Sequence, residues 1–167
     1  MRILMAVEDE KFGDAMIEFA SKHEWPAGSE FKIIHLVEPM MLGSYTAIYP
    51  SPLIAEITEQ NMTYGSKLVS DMKNRLQSAL PTCKVYADVM TESPKYGILT
   101  QAKEWKAEMI LMGSHGRRGL SRLVLGSVAE AVMSHADCSV TIVRLRDDKS
   151  TETVPSADTT KEMAAAN

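Results

Sequence analysis

Hydrophobic and polar positions along this chain fall into blocks that switch between two kinds of pattern. Residues 2–7, RILMAV, form an apolar run with almost no alternation, which suits a strand buried on both faces of a parallel sheet. DAMIEFASKH follows, with Met16, Phe19 and Ala20 at helical spacing, and PAGSE then makes a turn. FKIIHLV (31–37) reads as a second strand. After an irregular stretch marked by Pro39, Gly43, Pro50 and Pro52, helical spacing returns from 53 to 80 and places Val69, Met72, Leu76 and Leu80 on one face. CKVYADVM is a third strand. Pro94 opens a helix carrying Ile98, Leu99, Ala102 and Trp105, since the N–H that proline lacks would be unsatisfied there anyway. EMILMG, SVAEAVMSHA and CSVTIVRL continue as strand, helix and strand.

This alternation predicts an α/β fold: an open five-stranded parallel sheet with right-handed crossovers and helices on both faces. Residues 147–167 break the pattern. They are rich in Thr, Ser, Asp and Lys, and their few apolar residues show no period. Such a segment buries too little surface to offset its ordering entropy, so a disordered polar tail is expected after one domain at 1–146. No internal repeat interrupts the reading.

Composition narrows the classes. A chain of 167 residues, 45% hydrophobic and 24% charged, is a globular chain long enough to build a core without staples. Its net charge of −4 argues against a general nucleic-acid or membrane-surface binder but leaves room for a local anion site. Cys83 and Cys138 form no CxxC and no disulfide framework, and both read as core thiols. The opening MRILMAVEDE meets acids at once, without the apolar stretch of a signal peptide, and no run reaches transmembrane length. A cytoplasmic location is the expectation.

Against that acidic background stands MGSHGRRGLSRLVLGSVAEAV (112–132), which has no carboxylate before Glu130. In an open α/β sheet, ligands sit beyond the carboxyl ends of the strands, where the strand order switches. Gly113 and Gly116 lack Cβ atoms, so backbone there could approach a ligand closely or adopt positive φ. Gly126-Ser127 opens a helix, and a helix N-terminus offers free N–H groups and partial positive charge to a phosphate. The Ser127 hydroxyl could cap that helix or donate to a phosphate oxygen. These features point to a polyphosphate site. It is neither a Walker A loop, since no glycine here precedes Lys-Ser or Lys-Thr, nor a GxGxxG fingerprint.

Gly113-x2-Gly116-x9-Gly126-Ser127 matches the Gly-2x-Gly-9x-Gly-(Ser/Thr) signature of the universal stress proteins. The chain resembles the ATP-binding branch of that family. The segment ESPKYGILTQAKEWKAEMILMGSHG is similar to the family's helix, strand and loop. HADCSVTIVR resembles its last turn and strand, with Cys138-Ser139-Val140 where CPV is often written. The resemblance implies a Rossmann-like sheet in the order 3-2-1-4-5, ATP or AMP as ligand, a role in stress response, and homodimers paired through the last strand, Val140 to Arg144. Carried over by motif position, Met112, Gly113, Gly116, Gly126, Ser127 and Val128 would hold ribose and phosphates, and Val37 would sit by the adenine. In the family an Asp ends the first strand on the adenine and ribose side. Here the chain reads Ala6-Val7-Glu8-Asp9, so Glu8 stands where Asp is usual and Asp9 lies one residue later. MTESP is a second departure, since many members have a glycine before that helix.

Several residues keep two readings. Arg117, Arg118 and Arg122 are phosphate partners or solvated surface. His115 is a switch near neutral pH or merely exposed. Met40, Met41 and the Tyr45–Tyr49 stretch form a lid or a plain long loop. The last strand is an edge that pairs with a second copy or one blunted by Arg144 and Arg146. His135 and Cys138 have no third or fourth ligand nearby, so no metal site is assigned. As to function, a module that holds nucleotide and responds to its level is favoured. A slow ATPase would need Mg²⁺, an oriented water and a base; only Glu8 or Asp9 could approach a metal, and no Walker B pattern is present. A nucleotide-free dimeric scaffold would lack the glycine signature, and an adenylyl-transferring enzyme would show an HxGH-type motif. No protein partner is named by the sequence.

Overall fold

The computed structural model describes residues 1–39, 52–114 and 125–145. Along it run β1 (Arg2–Ala6), α1 (Glu10–Ser21), β2 (Glu30–Val37), α2 (Pro52–Ala79), β3 (Lys84–Thr91), α3 (Pro94–Glu104), β4 (Met109–Gly113), α4 (Ser127–His135) and β5 (Ser139–Val143). All adjacent strands pair in parallel, in the order β3-β2-β1-β4-β5. β1 therefore lies at the centre, with Ala6 opposite Ile34 on one side and Met112 on the other.

The apolar run of β1 has a direct cause. Ile3, Leu4 and Met5 are all fully buried, because helices cover both faces of the sheet. Ile3 and Met5 join the core built with α1 and α2, through Phe12, Met16, Leu68 and Met72. Leu4 joins the core on the other face, with Ile98 and Ala102 of α3 and Ala129 and Val132 of α4. Removing these side chains from water drives the layering at about 25 cal/mol per Å² of apolar surface.

Local chemistry sets the helix limits. α1 begins at Glu10, four residues ahead of the spaced apolar run, because the Asp9 side chain caps it: its Oδ1 accepts from Phe12 N–H at 3.0 Å. The PAGSE turn closes through Gly28, whose φ of 77° favours glycine. The buried residues of α2 are Gly65, Leu68, Val69, Met72 and Leu76, and none of positions 52–64 is buried. Cys83 is buried beside the α1/α2 core, and Cys138 packs half-buried on the other side; both thiols are free. Burial, followed by the nearby Asp137 charge, pushes the Cys138 thiol up, so it is protonated and unreactive at neutral pH.

Gly13 of α1 and Met72 of α2 meet where the two helices cross. A Cβ at Gly13 would stand 2.9 Å from Met72 Sδ, the far end of a flexible chain. Alanine gains about 1 kcal/mol of helix propensity over glycine, and a thioether yields easily. Gly13→Ala is therefore expected to melt at or above the wild-type temperature in a calorimetric scan. A fall beyond about 4 °C would mean that Met72 has no room to move.

Candidate functional site

The chain leaves β1 toward β2 on one side of the sheet, and β4 fills the slot on the other, so the strand order switches at β1. Beyond the carboxyl ends of β1, β2 and β4 a cavity of about 730 Å³ opens against the first turn of α4. That is the size of a small-molecule site. One wall is the exit of β1, with Ala6, Val7 and Glu8. A second is the end of β2, with Val37 and Glu38. The third is formed by Met112, Gly113 and Ser114 of the β4 exit and by Gly126, Ser127 and Val128.

Backbone hydrogen bonds hold these walls. Val7 N–H donates to Ile34 O at 3.0 Å, which carries the β1–β2 ladder one residue past the strand. Ser114 N–H donates to Val143 O at 3.0 Å, and Ser114 O accepts from Gly126 N–H at 2.9 Å. The exit of β4, the end of β5 and the start of α4 are thereby tied to one buried residue.

The two ends of the cavity differ in charge. Gly126 is the N-cap of α4 and has no side chain with which to cap it. The first N–H groups of α4 belong to Ser127, Val128 and Ala129, all of which line the cavity. An α-helix leaves these donors without intrahelical partners and carries partial positive charge at this end. No carboxylate lines this end among the described residues, and Glu130 stays outside the lining. At the opposite end Glu8 and Glu38 both reach the wall. An anion is favoured beside α4, and a group rich in N–H or O–H donors beside the glutamates.

Val7, Glu8, Val37, Met112, Gly113, Gly126, Ser127 and Val128 are thus brought together. Asp9 is not among the lining residues; it is engaged as the cap of α1. Gly116 and Arg117 lie outside the described residues, as do His115, Arg118, Arg122, Met40, Met41, Tyr45, Tyr49, Arg146 and the segment 147–167.

Two sequence-based expectations are corrected. Gly113 does not adopt positive φ; it is the last residue of β4. What requires its missing Cβ is Phe12, whose Cδ1 would stand 2.7 Å from that atom. Ser127 is the first residue of α4 rather than its cap, and it is among the residues that line the cavity. Other lining residues went unread in the sequence. Phe12 floors the cavity, Pro94 and Ile98 come from α3, and Asn61 comes from α2. His35 is the informative omission: a polar residue inside the apolar run FKIIHLV marked it, and it is buried in the wall.

Comparison with known proteins agrees with this architecture. The family model described as "Universal stress protein family" matches residues 1–144. The chain belongs to the universal stress protein family. Universal stress protein A homolog 2 of Coxiella burnetii is 32% identical over 146 residues, covering 87% of this chain and 95% of that protein. The solved universal stress protein UspA of Lactobacillus plantarum superposes with a TM-score of 0.68 at 18% identity, covering 86% of this chain and 97% of the other. A universal stress protein family protein of Arabidopsis thaliana, solved with AMP bound, gives a TM-score of 0.58 at 18% identity, covering 91% and 96%. The universal stress protein match takes in every strand of the sheet and all residues described around the cavity. No helix among the described residues of this universal stress protein is long and apolar enough to cross a membrane.

Proposed function

We propose that this universal stress protein is a binding module for an adenine nucleotide, ATP or AMP, and that occupancy sets what its homodimer presents to other proteins. One observation carries the reading. The N-terminus of α4 opens onto a cavity of nucleotide size at the switch in strand order, and no carboxylate among the described residues lines that end, Glu130 of the first turn lying outside the lining. The phosphates lie against the first turn of α4, at Gly126, Ser127 and Val128, with Gly116 added from the same motif and Arg117 as a basic residue of the same loop. The ribose lies along Met112 and Gly113. The adenine sits between Val7 with Glu8 and Val37, where carboxylates and backbone acceptors meet its amino group. AMP in the Arabidopsis relative supports this choice of ligand.

The site is built for holding rather than hydrolysis. Asp9, one of two carboxylates that could have served a metal or a water, is spent as a helix cap. Mg²⁺ would accompany ATP as the nucleotide's counterion, and Glu8 and Glu38 are the carboxylates on the cavity wall among the described residues. The homodimer pairs through β5 and Arg144: the strand is the outer edge of the sheet, and its Val140 and Ile142 are only half-buried, which invites a further strand. The module works in the cytoplasm as a stress-signalling component.

Mass spectrometry of small molecules released from purified, denatured protein tests the reading. ATP or AMP at about one equivalent per chain is expected, as for a single small-molecule cavity. No nucleotide recovered, together with no heat on titrating ATP into the protein, would overturn it.

A further inference from the structure

His35 lies on the α2 side of β2 and is 5% exposed. The exit of β1 and the helix α2 converge on its ring. Its Nδ1 lies 2.9 Å from Val7 O, at the exit of β1. The Tyr64 ring of α2 meets it edge-on, with centroids 5.9 Å apart at 74°. Gly65, the next residue of α2, comes so close that a Cβ there would press into Cδ2 of the ring and stand 3.1 Å from Val89 Cγ1 of β3. His35 is also among the residues that line the cavity, with Val37 and Glu38.

This packing leaves the imidazole one orientation, and the hydrogen bond determines its proton. A carbonyl oxygen only accepts, so Nδ1 carries hydrogen whether the ring is neutral or charged. Val7 is where the β1–β2 ladder ends. Its N–H is held by Ile34 O, and its carbonyl by the His35 ring. Val7 is thus held on both sides, its N–H by the backbone of β2 and its carbonyl, which belongs to the peptide leading into Glu8, by a side chain. Glu8, the next residue, lines the cavity.

We propose that His35 is a positioning residue of the nucleotide site: by holding Val7 O through Nδ1–H, it sets the direction in which Glu8 leaves β1 and so the shape of the base-binding end of the cavity. The consequence for affinity rests on the nucleotide-binding reading above; the consequence for backbone order at residues 7–9 does not. A purely space-filling histidine would tolerate any side chain of similar volume. A positioning histidine demands a donor at the Nδ1 position.

Three variants separate the two roles. His35→Asn keeps an N–H near the position of Nδ1, His35→Gln places its amide nearer Nε2, and His35→Leu fills space without a donor. ATP affinity is read by calorimetry, and amide hydrogen exchange across residues 7–9 is read without nucleotide. His35→Leu and His35→Gln are expected to weaken ATP by about tenfold and to speed exchange at 7–9, while His35→Asn stays within about threefold of wild type. Affinity in His35→Leu within about twofold of wild type, with exchange unchanged, would overturn the proposal. Equal impairment in all three variants would overturn it too, in favour of a packing role. If His35→Leu fails to fold, the contrast between Asn and Gln decides alone. If the wild-type protein takes up no ATP, the nucleotide reading falls, and the exchange data still decide the role of His35.

Discussion

Ser127→Asp is expected to raise the melting temperature slightly while cutting nucleotide affinity about a hundredfold, which corresponds to about 2.7 kcal/mol. Both effects come from one charge. Ser127 is the first residue of α4, where a carboxylate interacts favourably with the helix dipole by about 0.3–1 kcal/mol. In a domain of this size that shifts the melting point by about 1–4 °C. The same carboxylate would stand where the phosphates approach. Two like charges about 4 Å apart repel by about 4 kcal/mol at the effective dielectric of a protein surface. Ser127→Ala removes only a hydroxyl, so its loss should stay near 1 kcal/mol, about fivefold. Thermal scans and ATP titration on the same samples check this pair. A misfolded variant would lose both stability and binding. A stabilised Ser127→Asp protein that still bound ATP at wild-type strength would remove the phosphates from α4.

At the other end of the sheet, Phe31→Ala should cost about 3–5 kcal/mol of stability, enough to lower the melting temperature by roughly 10 °C or more. Phe31 is fully buried in the core shared with α1 and α2. Trp25 meets it edge-on, with centroids 5.1 Å apart at 88°, and that indole is itself anchored by Nε1–H donating to Ala20 O at 2.8 Å. Truncation would leave a cavity beside the anchored Trp25 ring, which limits relaxation. Phe31 sits near the start of β2, whereas the ligand cavity touches its end at Val37. ATP affinity measured well below the melting point should therefore stay within about twofold of wild type. A large loss of affinity in folded Phe31→Ala protein would show that the two ends of β2 are coupled.

Much of this architecture was legible from periodicity. The apolar run of 2–7 announced a strand covered on both faces, and Ile3, Leu4 and Met5 are covered on both faces. Pro94 stands at the start of α3 as its chemistry requires. Strand order was a different matter: alternation reports that strands exist, not which neighbours they choose, and the order 3-2-1-4-5 was expected only through resemblance to a family. Of the cavity wall, Gly126 and Ser127 were legible as a helix start, and Val128 through resemblance to a family. It was less legible where a residue type serves several ends. An aspartate between a strand and a helix suits a ligand or a cap equally, and Asp9 is the cap. A glycine at a strand end suits unusual φ, a ligand or a neighbour's side chain, and Gly113 accommodates Phe12. His35 could have been found, since a polar residue in a doubly covered strand must have a partner. That the partner is Val7 O follows only from the pairing of β1 with β2.

The central place of β1 also orders events on the ribosome. β1, β2 and β3 are consecutive in the chain and adjacent in the sheet, so they can assemble while the rest is still being translated. The other flank of β1 stays an open edge until β4 emerges, and Ser114 finds its acceptor only when Val143 has arrived. A nascent chain halted before β5 would own most of the α1/α2 core and no finished cavity. On the nucleotide-binding proposal, ligand capture is deferred to the late stage of synthesis, and a bound nucleotide would certify that β4 and β5 have taken their places.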